Sequence, residues 1–145
     1  MIDIEIMQDA SEIIHYDSPE ISYAVQERFL SNYTDMRALC HWHDDIELLY
    51  IFDGEMNYDV NGHHYLLKKG DTIFINSRQL HYGYDQKKQE CEFLVVLIHP
   101  ELLKASNYMY RRYVLPILNY ATDHVIIGKH SDYSPKLAQI FEDIR

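Results

Sequence analysis

The chain has little with which to lock itself covalently. Its two cysteines, Cys40 and Cys91, lack CxxC spacing, which excludes a disulfide framework and a thiolate zinc site. They read as small buried or half-buried apolar residues and fit a reducing cytoplasm. Basic residues are scarce as well. Thirteen Lys and Arg against 23 Asp and Glu give a net charge of −10, which repels phosphate backbones, so the chain as it stands is not expected to bind DNA. Long apolar runs are missing. The longest, Phe93-Leu94-Val95-Val96-Leu97-Ile98, falls far short of the roughly 20 residues that span a bilayer and reads as one buried strand. The opening Met1-Ile2-Asp3-Ile4-Glu5-Ile6 has neither the basic start nor the continuous apolar stretch of a signal peptide, so neither export nor a membrane is expected.

What is present is ordinary for one folded domain with a single core: 47% hydrophobic and 25% charged residues in a chain of 145. Tyrosine is abundant at 13, and its flat apolar face and polar tip suit both half-buried strands and the gripping of a hydroxylated ligand.

Periodicity along the chain favours β structure. Ile2, Ile4 and Ile6 alternate with Asp3 and Glu5, which predicts a first strand; mixed signals from Glu12 to Leu30 read as short strands around a turn at Asp17-Ser18-Pro19. Ile46 to Phe52 is an apolar run ending at Asp53-Gly54, a dipeptide suited to a hairpin turn, and Glu55 to Val60 returns as a second strand. Asn61-Gly62 repeats that turn chemistry before His63 to Leu67, and Lys69-Gly70-Asp71 is a loop before Thr72 to Ile75. Glu92 to Ile98 adds another strand, and so many short strands punctuated by turns predict a sandwich or barrel. Helical spacing takes over from Glu101 to Tyr120, interrupted by Pro116; His124 to Ile127 is a short strand. Ser134 and Pro135 open a final helix as N-cap and first helical residue, with Leu137, Ile140, Phe141 and Ile144 as its apolar stripe. That stripe runs to the penultimate residue, so the chain is expected to be a piece of a longer protein.

His41, His43 and Glu47 all carry odd numbers and so share one face of an extended strand. Two imidazoles and a carboxylate at one spot make a ligand mixture suited to zinc, nickel, manganese or iron, and His81 can complete the set. The same four residues can instead serve as hydrogen-bonding and packing groups in a pocket for an organic ligand.

The span His41-Trp42-His43-Asp44-Asp45-Ile46-Glu47 followed by Gly54 resembles the first motif of the cupins, and Gly70-Asp71 with His81 resembles the second in outline. The first motif's leading glycine falls at Asp35, and the second motif's proline, glycine and asparagine fall at Asn76, Arg78 and Asp85. With the Lys69-Gly70-Asp71 loop and Pro100-Glu101-Leu102-Leu103 in this order, the chain is most similar to the ligand-sensing domain of AraC-family transcription regulators. The likeness covers about residues 38–105. It implies a mainly β fold, a cupin (double-stranded β-helix, jelly-roll) barrel over residues 1–100, followed by C-terminal helices over 101–145 that serve dimerisation and linkage. It further implies a small-molecule effector, a sugar among the candidates, a homodimer, and contact with DNA only through a C-terminal domain absent from this chain. Metal-binding cupins use the four positions matching His41, His43, Glu47 and His81 as ligands.

Tyr50 and Tyr82 are the further candidate ligand contacts, drawn from a set that includes Tyr58, Tyr65 and Tyr84. Arg28 and Arg37 are candidates for orienting an anionic or hydroxylated ligand at the barrel mouth. His63 and His64 read as solvent-facing, while His15, His99, His124 and His130 have no partner at ligand spacing. No catalytic residue is assigned: Glu47 would be consumed as a ligand, and only Asp45 offers a second acid nearby. A free-standing metal-dependent isomerase, epimerase or oxygenase is therefore the alternative to a binding domain.

Overall fold

The computed structural model describes residues 4–120 and 122–145. Among these it has seven strands: β1 (Tyr23–Phe29), β2 (Ile46–Val60), β3 (His63–Lys68), β4 (Thr72–Ile75), β5 (His81–Tyr84), β6 (Cys91–Ile98) and β7 (His124–Ile127). A 3-10 segment (Pro100–Ala105), α1 (Asn107–Met109), a π turn (Tyr110–Val114) and α2 (Leu115–Tyr120) precede β7, and α3 (Ser134–Ile144) closes the chain. No helix among the described residues is long and apolar enough to cross a membrane.

Strand β2 organises the molecule. Its first part lies between β6 and β4 in the order β1-β6-β2-β4-β7, and its second part, Glu55 to Val60, lies between β3 and β5. One strand thus belongs to two sheets, and every pairing is antiparallel. The expected hairpin at Asp53-Gly54 is absent; the backbone runs straight on through a β-bulge. Ile51 faces Phe93 and Gly54 faces Cys91, so two intervening residues of β2 are set against Glu92 alone.

The bulge switches which side chains point inward. Before it, Glu47, Leu49 and Ile51 are buried on the inner face; after it, Met56, Tyr58 and Val60 take over. Odd numbers give way to even ones. Without the extra residue, a period of two would turn Met56, Tyr58 and Val60 to the outside. The other dipeptide of this kind, Asn61-Gly62, does form the two-residue hairpin, with φ of 51° and 84° and Val60 opposite His63.

The inner face gathers Ala24, Leu49, Ile51, Met56, Val60, Ile73, Phe93, Val95 and Leu97 around one core. The outer face of β1, β2 and β6 is covered in turn by α3, whose buried Phe141 stacks on Tyr50 at 4.9 Å and packs with Phe52, Leu94 and Val96. Leu137 joins it, whereas Ile140 and Ile144 stay more than 40% exposed, so half of the predicted stripe docks. Arg145 holds the helix end down through Glu27 and Glu92 and lies over Phe52.

Several expectations need correction. Ile2 and Asp3 lie outside the described residues; among the described ones Ile6 makes an isolated bridge to Glu12 and Ile4 to Ile6 carry no regular strand. Ser134 is not the N-cap of α3: Tyr133 holds that position, and the Ser134 hydroxyl turns to the Gly70 carbonyl. Cys91 is buried, but Cys40 is exposed.

Candidate functional site

His41, His43, Glu47 and His81 converge, although not along one strand. Glu47 sits near the start of β2, and a bend at Asp44 and Asp45 separates it from His43. His41 lies further back, in a bridge to His81, the first residue of β5. All four are buried, and one ligand atom from each lies within 4.8 Å of the others.

The imidazoles are oriented by their backs. His41 Nδ1 faces the Leu39 carbonyl at 2.6 Å, His43 Nδ1 that of Asp45 at 3.0 Å, and His81 Nδ1 that of Gln79 at 2.8 Å. A carbonyl can only accept, so each Nδ1 carries the proton and each Nε2 is turned to the centre. His43 Nε2 and His81 Nε2 lie 3.0 and 2.9 Å from Glu47 Oε2, and the Tyr58 hydroxyl donates to Glu47 Oε1 at 3.2 Å. A lone pair cannot face a carboxylate oxygen at such distances without a cation or a proton between them.

The donor set therefore fits a divalent ion. Bonds of about 2.1 Å meeting at right angles leave neighbouring ligand atoms about 3.0 Å apart, the spacing found between Glu47 and its two imidazoles. Backbone carbonyls behind each imidazole are the supporting groups that such sites use to fix the tautomer. An ion bound there would supply a positive centre to polarise or hold an oxygen-bearing ligand.

The electrostatics of the protein alone point the same way. Burial disfavours the Glu47 anion, yet the His81 and His43 imidazoles outweigh it and hold the carboxyl well below the usual range. Burial lowers His43 too, but its bond to Glu47 and that carboxylate's charge leave it raised. Burial, with repulsion from His81, drives His41 down to about 3. Glu12 is pushed by burial up to about 7, and Tyr58 is raised well above its ordinary value by burial and by Glu47. Tyr58→Phe is expected to cost about 1 kcal/mol, because Glu47 keeps its two imidazole partners; a urea unfolding midpoint shifted at constant slope would show it.

Beside the cluster opens a cavity of about 380 Å³, lined by His41, Glu47 and Tyr58 together with the apolar Leu49, Phe93 and Leu97. Arg28 and Tyr33 also line it. Arg28 enters from β1 opposite Phe93, and its Nε is buried with no hydrogen-bond partner among the described residues. Burial pushes the Tyr33 hydroxyl up to about 12.

The tyrosines proposed as ligand contacts are placed elsewhere. Tyr50 points to the outer face against Phe141, away from the cavity. Tyr82 stacks with Tyr84, and Arg37 lies over both rings at 4.8 and 5.1 Å, so this trio also stands apart from the cavity lining. His63 and His64 are exposed, as expected, with His64 paired to Asp59. His124 bonds to Asp123 and Tyr65, and His15 pairs with Glu5. Sequence reasoning passed over Glu12 and Tyr33, which lie outside the motif and are brought to the cavity only by the fold.

Two sheets sharing β2 around a buried His/Glu cluster and an adjoining cavity define a cupin-type binding domain. A family model described as the AraC-like ligand binding domain matches residues 24–142, and the chain belongs to that family. A relative is the uncharacterized HTH-type transcriptional regulator YdeC of Bacillus subtilis (strain 168), 25% identical over 113 residues, which cover 78% of this chain and 38% of that protein. Crystal structures of ToxT from Vibrio cholerae share the fold: apo ToxT of strain SCE256 and ToxT of O395 both give a TM-score of 0.58 at 12% identity, over 84% and 86% of this chain. The match spans 47% and 46% of those chains, so this chain corresponds to less than half of each of these relatives.

Proposed function

We propose that this chain is the effector-sensing part of an AraC-type transcription regulator of the cytoplasm, binding its effector without turning it over. Residues 1–100 form the binding barrel and residues 101–145 a helical segment through which two copies pair. DNA is contacted by a helix-turn-helix portion outside this chain. The effector occupies the cavity beside a divalent ion held by His41, His43, Glu47 and His81.

One observation carries the reading of the ligand: Arg28, whose Nη1 donates to the Glu27 carbonyl but whose buried Nε has no hydrogen-bond partner among the described residues, lines the same cavity as His41 and Glu47 of the cluster. A buried donor left unpaired costs free energy that a ligand can recover, and a guanidinium recovers most from a carboxylate or another anionic group. The apolar wall of Leu49, Phe93 and Leu97 suits the carbon frame between. We therefore expect an effector with an anionic group, such as a sugar acid, in preference to a neutral sugar. Such a ligand shifts a regulator only through different affinities for its two arrangements.

The test is a thermal-shift screen of small carboxylates, their neutral counterparts and divalent metals on wild-type and Arg28→Met domains. The expected result is a carboxylate that raises the wild-type melting temperature by several degrees and has no effect on the variant. Without ligand, Arg28→Met should be close to wild type in stability, since it removes an unpaired buried Nε together with an exposed bond to the Glu27 carbonyl. Equal response of both domains to every carboxylate would rule out Arg28 as the anchor.

A further inference from the structure

One more carboxylate reaches the cluster, from a distant stretch of chain. Residues 4–17 form an arm along the cavity, contributing Ile4, Glu12 and Ile14 to its wall. The arm docks beside His41 and His43: Ser11 bridges Trp42 in parallel, Glu12 N donates to Trp42 O at 2.8 Å, and Trp42 N donates to Ala10 O at 3.0 Å. The Trp42 indole adds a bond to Asp9 O at 2.8 Å. Side chains alternate along paired extended segments, so Ser11 shares the face of Trp42 and Glu12 takes the face of the two histidines.

Glu12 accordingly points at the cluster. Its side chain is 15% exposed, and its Oε2 lies 3.5 Å from His41 Nε2. His41 gives its Nδ1 proton to Leu39 O, so Nε2 meets the carboxylate as a second acceptor. The gap has the width of a coordination edge: ligand atoms bonded to one ion at about 2.1 Å stand about 3.0–3.6 Å apart at the 90–120° angles of a five-ligand site. His41 is also the one imidazole of the three whose Nε2 contact is to Glu12 and not to Glu47.

We propose that Glu12 is a fifth ligand of the ion held by His41, His43, Glu47 and His81, so that the ion ties the N-terminal arm to the barrel. The inference rests on the metal-bearing reading given above and extends it to a residue outside the cupin motif. Ion binding and arm docking are then linked: each strengthens the other by the same factor. A second carboxylate oxygen beside three imidazoles favours ions that accept five or six ligands, manganese, iron or nickel, over tetrahedral zinc.

Trp42 is the chain's single tryptophan, and its indole bonds to the arm, so its fluorescence reports arm docking. The chain, stripped with chelator, is titrated with Mn²⁺, Ni²⁺ and Zn²⁺ by calorimetry and by tryptophan fluorescence, as wild type and as Glu12→Gln. Wild type is expected to bind with a change in fluorescence; the variant should bind ten- to a hundredfold more weakly and show little fluorescence change. A variant with wild-type affinity and wild-type fluorescence response overturns Glu12 as a ligand and leaves the four-residue site standing. A wild type that binds none of the three ions overturns both. Hydrogen exchange of residues 9–16 in the wild type removes dependence on the variant's folding: protection that rises on adding the ion supports the tie, and protection unchanged in a domain that binds the ion refutes it.

Discussion

The Gly54→Ala domain is expected to lose about 4 kcal/mol of stability or to fail to fold, whereas Gly62→Ala should lose only about 1 kcal/mol. Both glycines have nearly the same backbone, φ of 80° and 84°, so both variants pay alike for a left-handed residue with a side chain. They differ in space. A Cβ on Gly54 would stand 2.4 Å from the Glu90 carbonyl oxygen and 3.1 Å from Cys91 Cα, while one on Gly62 meets nothing within 4 Å. The atoms in the way belong to the backbone of the neighbouring strand, so no side chain can turn aside. Relief requires β2 and β6 to part at the bulge that brings Tyr58 to the face of Glu47. Urea unfolding of the two variants decides it, and equal losses would mean that the bulge tolerates a side chain.

The same pair of glycines shows what the sequence could and could not reveal. Asp53-Gly54 and Asn61-Gly62 carry one local chemistry, and reading both as hairpins was the natural expectation. Local chemistry permits a positive φ; whether the chain reverses there depends on its neighbours. At Gly62 the chain turns because β3 comes back along the half of β2 just completed, from Val60 opposite His63 to Glu55 opposite Lys68. At Gly54, β6 continues alongside as far as Cys91 and carries the strand through. The strands from His63 onward were legible because turn residues bound them, and the motif of His41, His43 and Glu47 was legible because its spacing is tied to one geometry. Tyr50 was named as a candidate ligand contact and packs on the outer face, for a different reason. Alternation tells which residues share a face of a strand, and β2 is buried on both faces, by the cavity on one and by Phe141 on the other. Hydropathy cannot choose between two buried faces. Glu12 and Tyr33 were out of reach because their role comes from contacts with residues far along the chain.

Glu47→Gln is expected to cost the domain its affinity for the proposed ion and part of its stability at once. Glu47 is 4% exposed, faces the Nε2 atoms of His43 and His81 and takes a hydrogen bond from Tyr58, so its charge is the centre of a buried network. Glutamine keeps the shape and removes the charge. If about 10–16 kcal/mol of ion binding is shared among four or five ligands, losing one removes about 3 kcal/mol, about a hundredfold in affinity. The metal-free domain suffers too. Glu47 favours the charged form of His43, and removing a buried group from one side of such a pair costs up to about 3–5 kcal/mol. Urea unfolding with chelator and with added Ni²⁺ separates the two losses. In the wild type the ion should shift the midpoint upward, and in the variant the shift should vanish while the chelated midpoint also falls. If the wild-type midpoint is the same with chelator and with each divalent ion, the cluster is a hydrogen-bonded core and not a metal site. The drop in the chelated variant would then measure that core alone, and the cavity would have to bind its ligand through Arg28 and the imidazoles without an ion.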